Sequence, residues 1–170
     1  MDFKNICLTG FMGSGKSTVG KLLAKKLGFT FIDLDRVIEL AEGRKIKDIF
    51  RLKGEKYFRD LETKVTGKIY KNKNCVFACG GGIVKRKKNM DMIKSSSFNV
   101  YLSISIPDAI KRLKNVKDRP LIDVKDRDGT IEKMIKKREV LYRKYADLII
   151  DNSRKKPGQA SREIINGFKA

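Results

Sequence analysis

Histidine and tryptophan are absent from this sequence, and cysteine and proline occur only three times each. The lack of histidine excludes the commonest general base and the usual serine-hydrolase and zinc-protease arrangements, so a proton acceptor must be a carboxylate or water. No apolar run approaches the roughly 18 residues that a membrane-spanning helix needs, and the N-terminus does not have the pattern of a cleaved signal peptide. We therefore expect a cytoplasmic protein without a membrane partner.

The cysteines Cys7, Cys75 and Cys79 all lie in apolar stretches. An odd number of cysteines without C-x-x-C spacing argues against a disulfide framework and against a zinc site. We expect three buried, free thiols.

Positive charge dominates the composition, with 40 Lys and Arg residues against 20 Asp and Glu residues and a net charge of +20. Such a charge attracts nucleic acid, and a nucleotide-dependent nucleic-acid binder is one alternative function. The lysines are interspersed along the chain rather than gathered in a block, which favours a solvated surface. We expect no specific nucleic-acid partner.

The hydrophobic periodicity predicts strands that alternate with helices in one domain over residues 1–170. This order is typical of an α/β protein with three layers, in which helices cover both faces of a parallel sheet. The predicted strands are 2–9, 29–34, 75–79, 98–103 and 147–151. The predicted helices are 16–27, 36–70 with breaks near Gly43 and Gly54, 88–93, 107–114, 131–145 and 157–168.

The stretch GFMGSGKST, Gly10 to Thr18, follows the first predicted strand and opens the first predicted helix. It matches the pattern G-x-x-x-x-G-K-[ST] of a phosphate-binding loop. Glycines let backbone N–H groups approach phosphates, Lys16 can reach the β- and γ-phosphates, and Ser17 can ligate Mg²⁺. The sequence therefore predicts a nucleotide site here.

Two carboxylates, Asp33 and Asp35, stand at the end of the second predicted strand, where parallel sheets place their ligand crevice. Strand alternation would point them the same way, so that one holds a Mg²⁺-bound water and the other accepts a proton from, or orients, an acceptor hydroxyl. The alternative is that Asp35 only caps the following helix.

Three further features are weaker evidence when each is taken alone. Gly80-Gly81-Gly82 follows a buried strand and would let a ligand lie against backbone amides, or would merely form a turn. Arg59 and Arg138 lie on predicted helices, where most arginines are surface residues. The polar, aperiodic segment 115–129 contains Arg119 and is long enough to form a mobile lid over a phosphoryl group.

Taken together, the phosphate-binding loop, the D-L-D motif, FRDLE at 58–62, the triple glycine, RPLI at 119–122 and REVLY at 138–142 resemble shikimate kinase in order and spacing. The resemblance covers essentially the whole chain. It implies a nucleoside-monophosphate-kinase-like fold with strand order 2-3-1-4-5. It also implies transfer of the ATP γ-phosphate to the 3-hydroxyl of shikimate, in aromatic amino acid biosynthesis. We also expect a monomer.

The resemblance also implies a role for each motif residue. The catalytic residues would be Lys16, Asp35 and Arg119, and Mg²⁺ would be held by Ser17 and, through water, by Asp33. Shikimate would lie in the region of about 33–62, against Asp35, Arg59, Gly80, Gly81, Gly82 and Arg138, with both arginines facing its carboxylate. ATP would contact Gly13, Ser14, Gly15, Lys16, Ser17, Thr18, Arg112, Arg119 and Lys155, and Arg112 and Lys155 would lie near adenine.

The chain departs from the family pattern just before the triple glycine, where members often carry serine or threonine and this sequence has Ala78-Cys79. A hydroxyl that could hold a magnesium water is thus missing, and the metal site would depend on Ser17 and Asp33. A different small-molecule or nucleotide kinase of the same fold is the other alternative function.

Overall fold

The computed structural model describes residues 4–116 and 119–169. Its strands are β1 (Asn5–Thr9), β2 (Thr30–Asp33), β3 (Cys75–Ala78), β4 (Phe98–Ser103) and β5 (Leu148–Asp151). Its helices are α1 (Lys16–Leu27), α2 (Leu34–Glu42), α3 (Ile46–Ile69), α4 (Lys87–Lys94), α5 (Ile106–Leu113), α6 (Arg127–Tyr145) and α7 (Pro157–Lys169). The strands form one parallel sheet in the order β2-β3-β1-β4-β5, so the predicted fold is confirmed.

Apolar side chains cover both faces of this sheet. Alternate residues of β1 point to opposite faces: Cys7 joins a cluster with residues of α2, α3, α4 and α6, whereas Ile6 and Leu8 pack with α1 and α7. Strands buried on both faces are what a parallel sheet between helical layers requires. All three cysteines are buried and free, as the sequence predicts. No helix in the described residues has the length and apolarity to cross a membrane.

The boundary between β2 and α2 differs from the prediction, and this moves one of the two candidate carboxylates off the strand. β2 ends at Asp33, and α2 begins at Leu34. The Asp33 side chain caps α2 by accepting a hydrogen bond from the backbone N–H of Asp35, at 3.1 Å. Strand alternation therefore does not set the direction of Asp35, and the capping role suggested for Asp35 belongs to Asp33.

The long helical stretch breaks where the sequence predicts. Gly43 ends α2 in the left-handed conformation, and Gly54 interrupts α3 with φ of 77°. Glycine is the residue that adopts such angles without steric cost, which explains both breaks. The second half of α3 turns its buried face, including Phe58 and Arg59, toward the carboxyl ends of the strands.

The segment 115–129 is less irregular than predicted. Pro120–Ile122 forms a short 3₁₀ turn, Ile122 is fully buried, and α6 begins at Arg127, so the last three positions of the predicted loop are helical. Asp126 caps α6 by accepting a hydrogen bond from Gly129 N–H at 3.0 Å. Positions 117 and 118 of this segment, and positions 2 and 3 of the first predicted strand, lie outside the described residues.

Candidate active site

The phosphate-binding loop connects β1 to α1 at the carboxyl edge of the sheet. Gly15 has φ of 90° in the left-handed region, directly before the first residue of α1. A Cβ atom there would also come within 2.7 Å of the Asn152 side chain, so both conformation and space require glycine. The loop thus delivers the free N–H groups of a helix N-terminus to a cleft of about 530 Å³.

Lys16 lies across the loop and holds it closed. Its Nζ atom donates hydrogen bonds to the carbonyl oxygens of Gly10 (2.9 Å) and Phe11 (2.8 Å). Burial lowers the pKa of Lys16 to about 8, and Asp35 opposes this shift while Arg119 adds to it. The ammonium group is therefore poorly compensated in the free protein and would gain from an anion in the cleft.

Ser17 and Asp33 bring two oxygen ligands together beside the loop. The Ser17 hydroxyl donates to Asp33 Oδ2 at 2.8 Å. Mg²⁺ prefers oxygen ligands and is usually bound by one or two carboxylates together with substrate phosphates and water, so this pair fits the ion. Cys79 does not add a ligand for Mg²⁺. Its Sγ lies 3.3 Å from Cys7 Sγ, and its pKa is raised by that contact and by burial, so it remains a neutral thiol.

Asp35, in the first turn of α2, faces the same cleft as Lys16. Burial raises the pKa of its carboxyl group, and the nearby Arg119 is the main opposing influence. Arg119 Nη1 lies 3.6 Å from Asp35 Oδ2, and the arginine side chain is 45% exposed. This contact joins the segment 115–129 to the centre of the site.

The triple glycine makes room for charged side chains. A Cβ atom on Gly80 would come within 2.7 Å of Asp35 Oδ1, and one on Gly82 would come within 2.3 Å of the Arg59 guanidinium. A Cβ atom on Gly81 would contact the phosphate-binding loop at 3.4 Å. The absence of side chains, more than backbone conformation, is thus what the site uses at these positions.

Arg59 and Glu62 form a buried ion pair on one face of α3. Arg59 Nη1 donates to both Glu62 oxygens at 2.9 Å, and Arg59 Nε lies 3.2 Å from Glu55. Glu62 is fully buried, and this burial raises its pKa to about 7 although Arg59 opposes the shift. Arg59 is therefore oriented by its own helix before any ligand binds.

Arg138 is equally buried but has no such partner. Its side chain, on α6, forms no ion pair with any carboxylate of the described residues. It donates a hydrogen bond from Nη1 to the Gly81 carbonyl at 3.1 Å, it also interacts with the Tyr142 hydroxyl, and it lies over the Phe11 ring at 5.9 Å. A buried guanidinium without a counter-charge is costly, and it marks a place for an anion.

The opposite end of the cleft is formed by Arg112 and the turn after β5. Arg112 donates to the carbonyls of Gly13 (3.0 Å), Asn152 (3.0 Å) and Ser153. The Asn152 side chain donates to the Ser14 carbonyl at 2.7 Å. Lys155 also lines the cleft and pairs with Glu163 at 2.6 Å. These contacts tie the phosphate-binding loop to α5 and to the turn after β5.

A second, smaller cavity of about 60 Å³ adjoins the cleft on the side of α3 and α6. It is lined by Asp35, Arg59, Glu62, Arg138 and the triple glycine, and also by Pro120 and Leu121. Small-molecule sites usually measure about 300–1,000 Å³. A ring-sized acceptor thus requires this cavity to enlarge, and Pro120 and Leu121 are the lining residues that belong to the predicted lid.

The structure brings almost all of the predicted site residues to these two cavities. Lys16, Ser17, Thr18, Asp33, Arg112 and Lys155 line the cleft, Arg59, Gly82 and Arg138 line the smaller cavity, and Asp35, Gly80, Gly81 and Arg119 line both. Ser14 differs, because its side chain is buried and its hydroxyl has no partner among the described residues.

Glu62, Tyr142 and Asn152 contact predicted site residues or their neighbours but have no predicted role of their own. Glu62 follows Arg59 by three positions on one helix face, a spacing that signals the pair. Tyr142 follows Arg138 by four positions, so the two residues lie on the same face of α6. No local signal identifies Asn152, because its partner Ser14 is 138 positions away.

Comparison with known proteins agrees with this geometry. The sequence profile of the family described as shikimate kinase matches residues 12–169. Curated shikimate kinases from a Sulfurihydrogenibium species and from Persephonella marina are 45% and 44% identical over 166 residues, 98% of this chain and 98% and 99% of theirs. A solved shikimate kinase from Acinetobacter baumannii in complex with shikimate superposes with a TM-score of 0.94 at 34% identity, covering 97% of this chain and 92% of that one.

Proposed function

This chain belongs to the shikimate kinase family and is an ATP-dependent kinase, and we propose how its residues carry the γ-phosphate of ATP to the 3-hydroxyl of shikimate. The nucleotide occupies the cleft over the phosphate-binding loop, with adenine toward Arg112 and Lys155. Shikimate occupies the smaller cavity, beside α3 and α6, after that cavity has enlarged. Its ring hydroxyls point to Asp35, and its carboxylate points to Arg59 and Arg138.

The buried, uncompensated charge of Arg138 is the observation that carries this assignment. An anionic acceptor would supply the counter-charge that Arg138 does not receive from the described residues. The buried guanidinium group would then be paired. Arg59 lies against the same cavity, so two guanidinium groups can bind one carboxylate. A neutral acceptor would leave Arg138 without a partner.

Lys16, Asp35 and Arg119 surround the junction of the two cavities, where phosphoryl transfer would occur. Lys16 and Arg119 stabilise charge on the transferred group, and Asp35 orients the attacking hydroxyl and accepts its proton. The raised pKa of Asp35 makes its carboxylate a stronger base than an exposed aspartate.

Ser17 and Asp33 would hold Mg²⁺, Ser17 directly and Asp33 through water. The ion would neutralise negative charge on the β- and γ-phosphates. The Ser17–Asp33 hydrogen bond keeps both groups in place beside the loop.

An acceptor panel tests the function. ADP formation is followed with ATP and Mg²⁺ in the presence of shikimate, a sugar acid, a nucleoside monophosphate, or no acceptor. We expect rapid turnover with shikimate alone, and phosphorus NMR of the product should show the new phosphate at the 3-hydroxyl. A higher kcat/KM for the sugar acid or the nucleotide would contradict the proposal.

Binding of shikimate is expected to be accompanied by proton uptake at Glu62. The incoming carboxylate competes with Glu62 for Arg59 and repels its negative charge, so it raises further a pKa that is already about 7. Near neutral pH the bound state therefore holds more protons than the free state, and shikimate affinity falls as pH rises through about 7. Calorimetry in buffers of different ionisation enthalpy measures this uptake.

Two glutamine substitutions test whether Glu62, rather than a neighbouring carboxyl group, takes up the proton. Glu62→Gln should abolish the proton uptake and flatten the pH dependence of shikimate binding. Glu55→Gln is the matched control, because Glu55 also contacts Arg59 but its pKa is lowered, first by Lys85. Undiminished uptake in Glu62→Gln would assign the proton to another group, such as Asp35.

Arg119→Ala is expected to lower kcat by about 100-fold or more, because charge on the transferred group develops fully only in the transition state. ATP affinity should change little. Lys125→Ala, an exposed cation in the same segment, is the control and should leave kcat unchanged. A modest fall in kcat with a large loss of ATP affinity would make Arg119 a ground-state binding residue instead.

The segment 115–129 acts, on this proposal, as a lid whose ends are fixed. Arg127 Nη2 donates to the carbonyls of Leu113 and Val116, both at 2.6 Å, and Ile122 is buried in the core. Amides before Ile122 should exchange with deuterium quickly in the free enzyme and slowly with ADP and shikimate together. Protection already present in the free enzyme would show a fixed loop.

We further propose that the enzyme acts as a cytoplasmic monomer. The three free thiols suit a reducing compartment. Sedimentation equilibrium that gives a dimer at assay concentrations would contradict the monomer.

A further inference from the structure

The carbonyl oxygen of Gly81 receives two hydrogen bonds from α6. One comes from Arg138 Nη1 at 3.1 Å, and the other comes from the hydroxyl of Tyr142. The two donors are one helical turn apart, on the face of α6 that meets the triple glycine. Gly81 also lines both cavities, so these hydrogen bonds lie close to where the cavities adjoin.

Tyr142 is held rigidly at this position. The residue is 1% exposed, and its ring stacks on that of Tyr101, with centroids 4.9 Å apart and an interplanar angle of 18°. Burial raises the pKa of its hydroxyl, so the group remains a protonated donor throughout the neutral range. The Tyr142 hydroxyl is therefore available as a donor to Gly81 at any neutral pH.

We propose that Tyr142 is a positioning residue that keeps the Gly81 carbonyl hydrogen-bonded when Arg138 turns from it to the carboxylate of shikimate. The inference rests on the proposed role of Arg138. It adds that Tyr142 leaves Arg138 free to bind the shikimate carboxylate. A carbonyl oxygen accepts two hydrogen bonds, and loss of one leaves it satisfied. Loss of both leaves this partly buried carbonyl without a side-chain donor, which costs free energy.

The expected defect of a Tyr142→Phe variant follows from this arrangement. In the free enzyme Gly81 keeps its bond from Arg138, so the fold loses little. In the shikimate complex, an Arg138 guanidinium that keeps one N–H on Gly81 has fewer N–H groups and less freedom to face the carboxylate, so it binds the substrate less well. We expect shikimate affinity to fall about tenfold, which corresponds to about 1.4 kcal/mol.

Calorimetry with shikimate and, separately, with ADP and Mg²⁺ measures this effect on the intact enzyme. Tyr142→Phe should raise the Kd of shikimate about tenfold and leave the Kd of ADP within about twofold, with the loss in KM rather than in kcat. Tyr101→Phe is the matched control, because its ring is the stacked partner and its hydroxyl makes no hydrogen bond within the described residues. That control should bind shikimate like the wild type.

Each other outcome overturns the inference. An unchanged shikimate Kd would show that Gly81 does not need Tyr142, and equal losses for ADP and shikimate would show a general structural role. A Tyr142→Phe variant that fails to fold would show that the bond is required in the free enzyme. The proposed role of Arg138 is tested apart from this, because Arg138→Met should weaken shikimate binding whichever result Tyr142→Phe gives.

Discussion

Replacing Lys16 with methionine is expected to lower kcat by about 100- to 1,000-fold while the protein remains folded. The methionine keeps most of the apolar stem but removes the charge that faces the cleft. The substitution removes the two hydrogen bonds to Gly10 and Phe11, which destabilises the loop. It also removes a buried ammonium group, whose pKa is lowered by burial to about 8, and this offsets part of the loss. Steady-state kinetics and a thermal unfolding curve measure the two effects separately.

A lysine of the same helix provides the control for this substitution. Lys25 is exposed on α1, and Lys25→Met should retain wild-type kcat and KM. Wild-type turnover in Lys16→Met would remove the basis for assigning phosphoryl transfer to this loop. A collapse of the thermal midpoint would instead show that Lys16 is needed mainly to close the loop.

Replacing Arg138 with methionine is expected to weaken shikimate binding by about 100-fold, because charge-assisted hydrogen bonds are worth about 1.5–3 kcal/mol each. ADP affinity should stay within about twofold. Arg138→Lys should recover only part of the loss, since lysine keeps the charge but not the planar fork that binds two carboxylate oxygens. Calorimetry on the two variants gives both affinities.

Stability distinguishes a binding role from a structural one at this position. Arg138 is buried without a carboxylate partner in the described residues, so its removal should leave the thermal midpoint unchanged or higher. The control is Arg143→Met, five positions further along α6, where the side chain is 55% exposed and pairs with Glu139 at 2.8 Å. Equal loss of ADP and shikimate affinity in Arg138→Met would contradict the carboxylate assignment.

Local sequence signals predicted the framework of the site well. The strand, glycine loop and helix at 5–27 combine a buried apolar run, positive-φ glycines and a regular helical period, each of which acts over a few residues. The order of the strands is not local information. It was implied by the resemblance to a family, and the structure confirms it.

Details that depend on contacts between distant segments were not accessible in this way. The choice between Asp33 and Asp35 as the helix cap depends on where β2 ends, and boundaries are poorly encoded by periodicity. The sequence predicts a surface for ligand at the triple glycine, but it does not show that Asp35 and Arg59 approach these glycines from other elements. The burial of Arg59 and Arg138 likewise depends on tertiary packing, which a short stretch of sequence does not reveal.

A crystal structure of the enzyme with shikimate and ADP tests the central claim most directly, because it locates the acceptor carboxylate. We predict that this carboxylate lies between the guanidinium groups of Arg59 and Arg138, that the 3-hydroxyl lies within hydrogen-bond distance of Asp35, and that Tyr142 still donates to Gly81. A carboxylate bound elsewhere, with Arg138 unchanged and still without a counter-charge, would contradict the account.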